Sequence, residues 1–169
     1  HLDYRLDRSF VAIPGDGQAT TAGVTLSYPL LRATASNLYA GVNYDEKRFV
    51  NNDRGINANK RRIGVWNLLL SGDRLDNYFG GGLMQFNTVL SFGSLRMKNP
   101  DEVALDDSGP HARGHFARFA GVVSRLQRLG DSTGLFINLA GQFATDNLDF
   151  SEKFSLGGPN GIRAYPVNE

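Results

Sequence analysis

The chain has 169 residues, with 18 Lys+Arg against 17 Asp+Glu, 20 Gly and no Cys. That is a normal length for one domain, and the near balance of charge gives no basic face for nucleic acid. Absence of Cys excludes disulfide frameworks and thiolate metal sites. No apolar run approaches the ~18–20 residues of a transmembrane helix, but a β-barrel stays open because its strands are apolar only at alternate positions. The sequence starts at His1 and stops at Glu169 with no visible signal peptide, and it is expected to be a fragment.

In chain order, the dominant period is two. Leu2, Tyr4 and Leu6 alternate with charged residues, and Val24, Leu26 and Tyr28 with Gly23, Thr25 and Ser27. Leu38, Ala40, Val42 and Tyr44 alternate with Tyr39, Gly41, Asn43 and Asp45. Lys60–Gly72 is less clean, with Trp66, Leu68 and Leu70 on one parity but Ile63, Val65 and Leu69 on the other. Met84–Gly93 alternates again. Arg113–Leu129 mixes Phe116, Phe119, Val122 and Val123, so that a helix would fit part of it; a strand is nevertheless expected. Leu135, Ile137, Leu139 and Phe143 close the series. This pattern predicts about seven strands with one apolar and one polar face.

The connections differ in character. Pro14–Thr20, Val50–Asn59 and Lys98–Ala112 read as long polar loops, Arg32–Ser36 and Gly130–Ser132 as short turns, and Asp73–Gly80 as intermediate. Long loops at one end and short turns at the other are the layout of an outer-membrane barrel. A soluble β-sandwich also alternates, but the predicted strands reach ~10 residues or more, against ~5–6 in globular proteins. The polar parity is also rich in Gly, Ser, Thr, Asn and Gln, which suits a water-filled lumen. Tyr28, Tyr39, Phe49, Tyr78 and Phe79 are candidates for interfacial aromatic girdles. Arg5, Arg62, Arg113, Arg118 and Arg125 are candidates for the lumen wall. Arg118 conflicts with its parity partners Phe116, Ala120 and Val122, and a bulge or an exchange of faces would resolve this.

Other chemistry is weakly supported. His111 and His115 are too far apart on a strand, at about 13 Å, for a shared metal. Asp101-Glu102 and Asp106-Asp107 read as a solvated acidic loop. Gly157-Gly158-Pro159-Asn160-Gly161 lacks the Gly-Lys-Ser/Thr ending of a phosphate loop. No motif supports catalysis, a metal or another cofactor.

The C-terminal stretch does not alternate. It reads Glu152-Lys153-Phe154-Ser155-Leu156-Gly157-Gly158-Pro159-Asn160-Gly161-Ile162-Arg163-Ala164-Tyr165-Pro166. This resembles the signature Glu-Lys-Phe-x-Leu-Gly-Gly-Pro-x-Gly-Val-Arg-Ala-Tyr-Pro of two-partner secretion transporters, the haemolysin secretion/activation (ShlB/FhaC/HecB) family, with Ile162 in place of Val. Tyr28-Pro29-Leu30-Leu31-Arg32, Gly80-Gly81-Gly82 and Gly141-Gln142 through Asn147-Leu148 resemble further strand motifs of that family, so nearly the whole chain is covered.

The resemblance implies an all-β fold, with residues 1–169 forming about seven strands of a sixteen-strand transmembrane antiparallel barrel in the bacterial outer membrane. POTRA domains are expected to lie outside this chain. Residues 151–169 would begin the sixth extracellular loop, folded into the lumen. There Gly157, Gly158, Pro159, Gly161, Ile162, Arg163, Ala164, Tyr165 and Pro166 would form the loop motif, with Arg163 locked to an acidic residue beyond Glu169. The implied function is a pore that secretes, with or without activating, a partner exoprotein such as a haemolysin or adhesin. Its partners would be that cargo and membrane lipid, with no nucleic acid or small-molecule substrate. An outer-membrane assembly factor of the same superfamily and a soluble ligand-binding β-domain are the alternatives.

Overall fold

The computed structural model describes residues 2–5, 15–53 and 59–154, with side chains over 17–50 and 60–154. One antiparallel sheet contains seven strands in chain order. They are β1 (Leu2–Arg5), β2 (Gly15–Arg32), β3 (Ser36–Asp53), β4 (Asn59–Asp76), β5 (Gly82–Met97), β6 (Gly114–Arg128) and β7 (Gly134–Ala144). Each strand pairs with its neighbour in the chain, so β1 and β7 are the edges.

The register places one row of residues across the sheet on each face. Tyr44, Trp66, Phe92 and Ala117 share one row, and Asn43, Asn67, Ser91 and Arg118 the next. Because successive side chains point to opposite faces, these adjacent rows lie on opposite sides. The first belongs to an apolar face, whose side chains lie open: Leu26 is 72% exposed, Leu139 69% and Phe143 76%. The second belongs to a polar face, part of which other segments cover.

This resolves the mixed β4. Trp66, Leu68 and Leu70 stand on the open apolar face, and Ile63, Val65 and Leu69 on the covered one. It also resolves Arg118, whose parity is that of the covered face together with Phe116 and Val122, while Phe119 and Val123 face the apolar side. No bulge is involved. Among the described residues, the register shifts between Pro29 and Leu31 on β2, a position where a strand tolerates the missing proline N–H.

Close backbone approach explains two glycines. A Cβ at Gly93 would lie 2.4 Å from the Phe116 ring, and one at Gly72 would lie 2.9 Å from the Phe86 ring. In each case an aromatic ring lies over the glycine of the adjacent strand, on the covered and the apolar face respectively, packing like the aromatic pairs that pin register in sheets.

Several loop expectations change. β2 and β3 run through Gly15–Thr20 and to Asp53, and β4 begins at Asn59, so the described residues of these two expected loops are strand, while residues 14 and 54–58 lie outside the described residues. Cross-strand backbone hydrogen bonds sustain the hairpins beyond the alternating zone. The expected loop Lys98–Ala112 contains a helix, α1 (Pro100–Ser108). Asn99 caps it by accepting from the Asp101 N–H, Pro100 occupies the first turn, and Asp101 and Glu102 complement its N-terminal dipole. Asp106 was expected in solvent but is buried, where it accepts the backbone N–H groups of Ala112 and Arg113.

Candidate functional site: a charged clasp on the covered face

The end of the sheet with long connections carries the cover. Residues 145–154 fold back over the polar face, and Leu148 and Ala112 pack on Ile63, Val65, Leu95 and Phe116, flanked by Phe49 and Met97. The sealed apolar residues on this parity belong to the patch that the connections shield, while Leu69, Val89 and Val122 lie on the same parity outside it. Asp149 opens a short 3-10 turn, Phe150–Glu152, by accepting from the Ser151 N–H.

Glu152 is the centre of the arrangement. It is 1% exposed, and its carboxylate pairs with Lys47 of β3 at 2.5 Å and with Arg118 of β6 at 2.9 Å. Its main-chain carbonyl accepts from Arg118 Nη1 at 2.8 Å and from Gln142 Nε2 at 3.2 Å. Arg118 continues the network by donating to Ser91 Oγ at 3.1 Å, and Ser91 donates to Asn67 Oδ1 at 2.7 Å. Asn67 donates to Asn43 Oδ1 at 2.6 Å, and Asn43 to Thr25 Oγ1 at 3.0 Å. A polar belt thus runs from β2 to β6 and ends on the buried carboxylate. Most polar atoms of the belt find a hydrogen-bond partner, but Arg118 Nε and Glu152 Oε2 are buried without one, so Glu152 Oε2 is held by the charge of Arg118 alone.

A second clasp lies beside it. Arg61 of β4 donates to Asp149 at 2.8 Å and pairs with Glu102 of α1 at 3.1 Å. Burial holds the Glu102 carboxyl above the ordinary glutamate range; Arg61 opposes this, while Asp149 and Asp106 add to it. Nearer the short turns the same face is open, with a shallow hollow of about 390 Å³ lined by Tyr39, Ser71, Asp73, Gln85, Asn87 and Ser124, among others.

The expected wall arginines divide. Arg118 lies on the covered face. Arg62 and Arg125 share the apolar parity instead, at its two ends, where Arg62 pairs with Glu46 and Arg125 with Asp76. Arg113 precedes β6 and pairs with Asp107; the Arg5 side chain lies outside those described. On β4, Arg62 and Arg74 are 12 residues apart with Gly64, Trp66, Leu68, Leu70 and Gly72 between them on the same parity. At ~3.3 Å per residue and ~40° tilt they would bracket roughly 30 Å of membrane, enough for a ~25 Å apolar band.

Of the girdle candidates, Tyr28, Tyr78 and Phe79 are exposed on the apolar face or at the short turns, as a girdle needs. Tyr39 and Phe49 have covered-face parity, because each pairs with covered-face residues of β4, Ser71 and Arg61. The aromatic row at the opposite end is Tyr44, Trp66 and Phe92, with Tyr44 and Trp66 ring centroids 4.9 Å apart. Reading each strand separately misses this row, because it emerges only from the register. His111 and His115 are both exposed, in the loop and at the start of β6. Gly157, Gly158, Pro159, Gly161, Ile162, Arg163, Ala164, Tyr165 and Pro166 lie outside the described residues.

Comparison with known proteins gives a consistent result. The family model described as "Haemolysin secretion/activation protein ShlB/FhaC/HecB" matches residues 4–168. Two Haemophilus influenzae sequences, each named heme/hemopexin transporter protein HuxB, are 27% identical over 167 residues and 28% over 169. Each match covers 98% of this chain but 29% of the relative, so the chain spans under a third of the length of those proteins. No solved structure matches the chain significantly.

Proposed function

Because the chain belongs to the ShlB/FhaC/HecB haemolysin secretion/activation family, we propose that it forms part of the wall of an outer-membrane pore that secretes a partner exoprotein. The observation that carries this reading is the division of the sheet into two solvents. One face presents aliphatic and aromatic side chains with no protein cover among the described residues, bracketed by charges at a separation a bilayer fits. The other carries Asn, Gln, Ser and Thr and receives residues 145–154.

On this reading the long connections face outward from the cell and the short turns face the periplasm. Cargo enters unfolded from the periplasmic end and folds outside, and that folding supplies the drive. The open half of the polar face suits transit: its amides and hydroxyls offer exchangeable hydrogen bonds without a deep apolar trap. Residues 151–169 begin the loop directed into the lumen, and Arg163 fixes that loop to the wall. The test is secretion by the full-length transporter, wild type against Arg163→Ala, with insertion read from heat-modifiable gel mobility. The expected outcome is an Arg163→Ala protein that inserts but secretes poorly. Undiminished secretion would remove the role of Arg163, and a wild type that does not insert would remove the pore reading.

A further inference from the structure

We propose that Glu152 is an electrostatic latch, joining β3 to β6 across the covered face and fixing residues 145–154 against it. Lys47 and Arg118 belong to strands separated by β4 and β5, roughly three strand spacings or ~14 Å apart. Their long side chains reach over the intervening strands from opposite sides and meet on one carboxylate. Ile63, Val65, Leu95 and Ser91 are sealed on that face.

The chemistry suits a latch better than a permanent weld. Glu152 is 1% exposed in the docked position, while Lys47 and Arg118 keep 23% and 18% of their side chains in water. Docking exchanges the hydration of one anion for two cations, and undocking returns all three to solvent. Large opposing terms then nearly cancel, and the closed arrangement depends on both cations being present. The backbone carbonyl of Glu152 adds direction: Arg118 holds main chain as well as side chain, so the segment is fixed in position and not only in charge. A passing chain that competes for Lys47 or Arg118 would release residues 145–154 from the wall. This last step rests on the transporter reading; the latch itself does not.

The experiment uses the full-length protein inserted in membranes, in a background free of other cysteines, with Leu148→Cys as reporter. Leu148 is buried against the wall, so a membrane-impermeant maleimide should label it slowly while the latch is closed. Glu152→Gln should speed labelling by at least about tenfold, since losing one member of a buried charge set destabilises it strongly. In the background Lys47→Gln with Arg118→Gln, the further change Glu152→Gln should add nothing, which a merely space-filling Glu152 would not produce. Unchanged labelling in inserted Glu152→Gln overturns the latch, as does an equally large increase in the background lacking both cations. Should Glu152→Gln fail to insert, labelling of Lys47→Gln decides in the same way. A wild type that protects Leu148→Cys yet secretes no partner would refute the transporter reading and leave the latch standing.

Discussion

The two faces of β4 have equally apolar residues and opposite fates. Trp66 and Leu68 are about half exposed, while Ile63 and Val65 are sealed. In water the first arrangement would be unfavourable over so large a patch. It becomes favourable where the bilayer is the solvent, and the covered face then becomes the one that must justify its apolar residues. It does so with a local lid around Ile63 and Val65, and beyond Leu69 the same parity carries Ser71 and Asp73 before the exposed Leu75 at the strand end. On the transporter reading, hydrophobicity on one face answers to lipid, and the sealed residues on the other answer to a docked segment.

The largest expected effect comes from opening the sealed patch. Phe116→Ala removes a buried ring that lies over Gly93, and a substitution of this kind costs about 3–5 kcal/mol. Denaturant unfolding of the intact transporter in vesicles would measure it. A cost under about 1 kcal/mol would show that residues 145–154 do not press on the wall. The second effect tests the other face. Leu68 lies midway between Arg62 and Arg74 on the apolar parity, so Leu68→Arg should cost about 2–4 kcal/mol in a bilayer. Asn87→Arg, on the exposed half of the polar face, should stay within about 0.5 kcal/mol. Equal costs at the two positions would abolish the distinction between the faces.

Much of this division was legible in the sequence, because a strand shows its two faces at alternate positions and no tertiary information is needed to sort them. Val24-Leu26-Tyr28 and Leu135-Ile137-Leu139 were readable for that reason. The strand extensions through Gly15–Thr20 and to Asp53 were not, since outside the membrane a hairpin is held by backbone pairing and need not alternate in polarity. The helix α1 was legible in principle: Asn99-Pro100-Asp101-Glu102 is a cap, a helix-start proline and an acidic first turn. The charged clasp was hidden for a different reason. Glu152 meets Arg118 34 residues away and Lys47 105 residues away, and nothing local in the three segments announces a pairing over those separations. The stranded parity of Arg118 was the one visible trace: a cation on a partly apolar face needs an anion, and the fold supplies it from the returning loop.

The smallest effect sharpens the comparison at its margin, where α1 meets the wall. Glu102 is mostly buried beside Arg61, and its proton affinity in the docked state is raised, chiefly by desolvation. Docking of α1 therefore binds protons relative to undocking. Its stabilising contribution is complete below the ordinary glutamate pKa and is lost as pH rises through the elevated docked value. Arg61, Asp149 and Asp106 are the charged groups that act on it, and Arg61 alone favours the ionised form. Amide hydrogen exchange in α1, corrected for intrinsic rates between about pH 4 and 7, should show protection rising as pH falls through this range. Glu102→Gln should flatten that part of the dependence and hold protection at the neutral end at or above wild type. If protection in Glu102→Gln instead drops at neutral pH, the ion pair with Arg61 outweighs the desolvation of Glu102, and α1 is held by charge in the same way as Glu152, not by burial as Leu148 is.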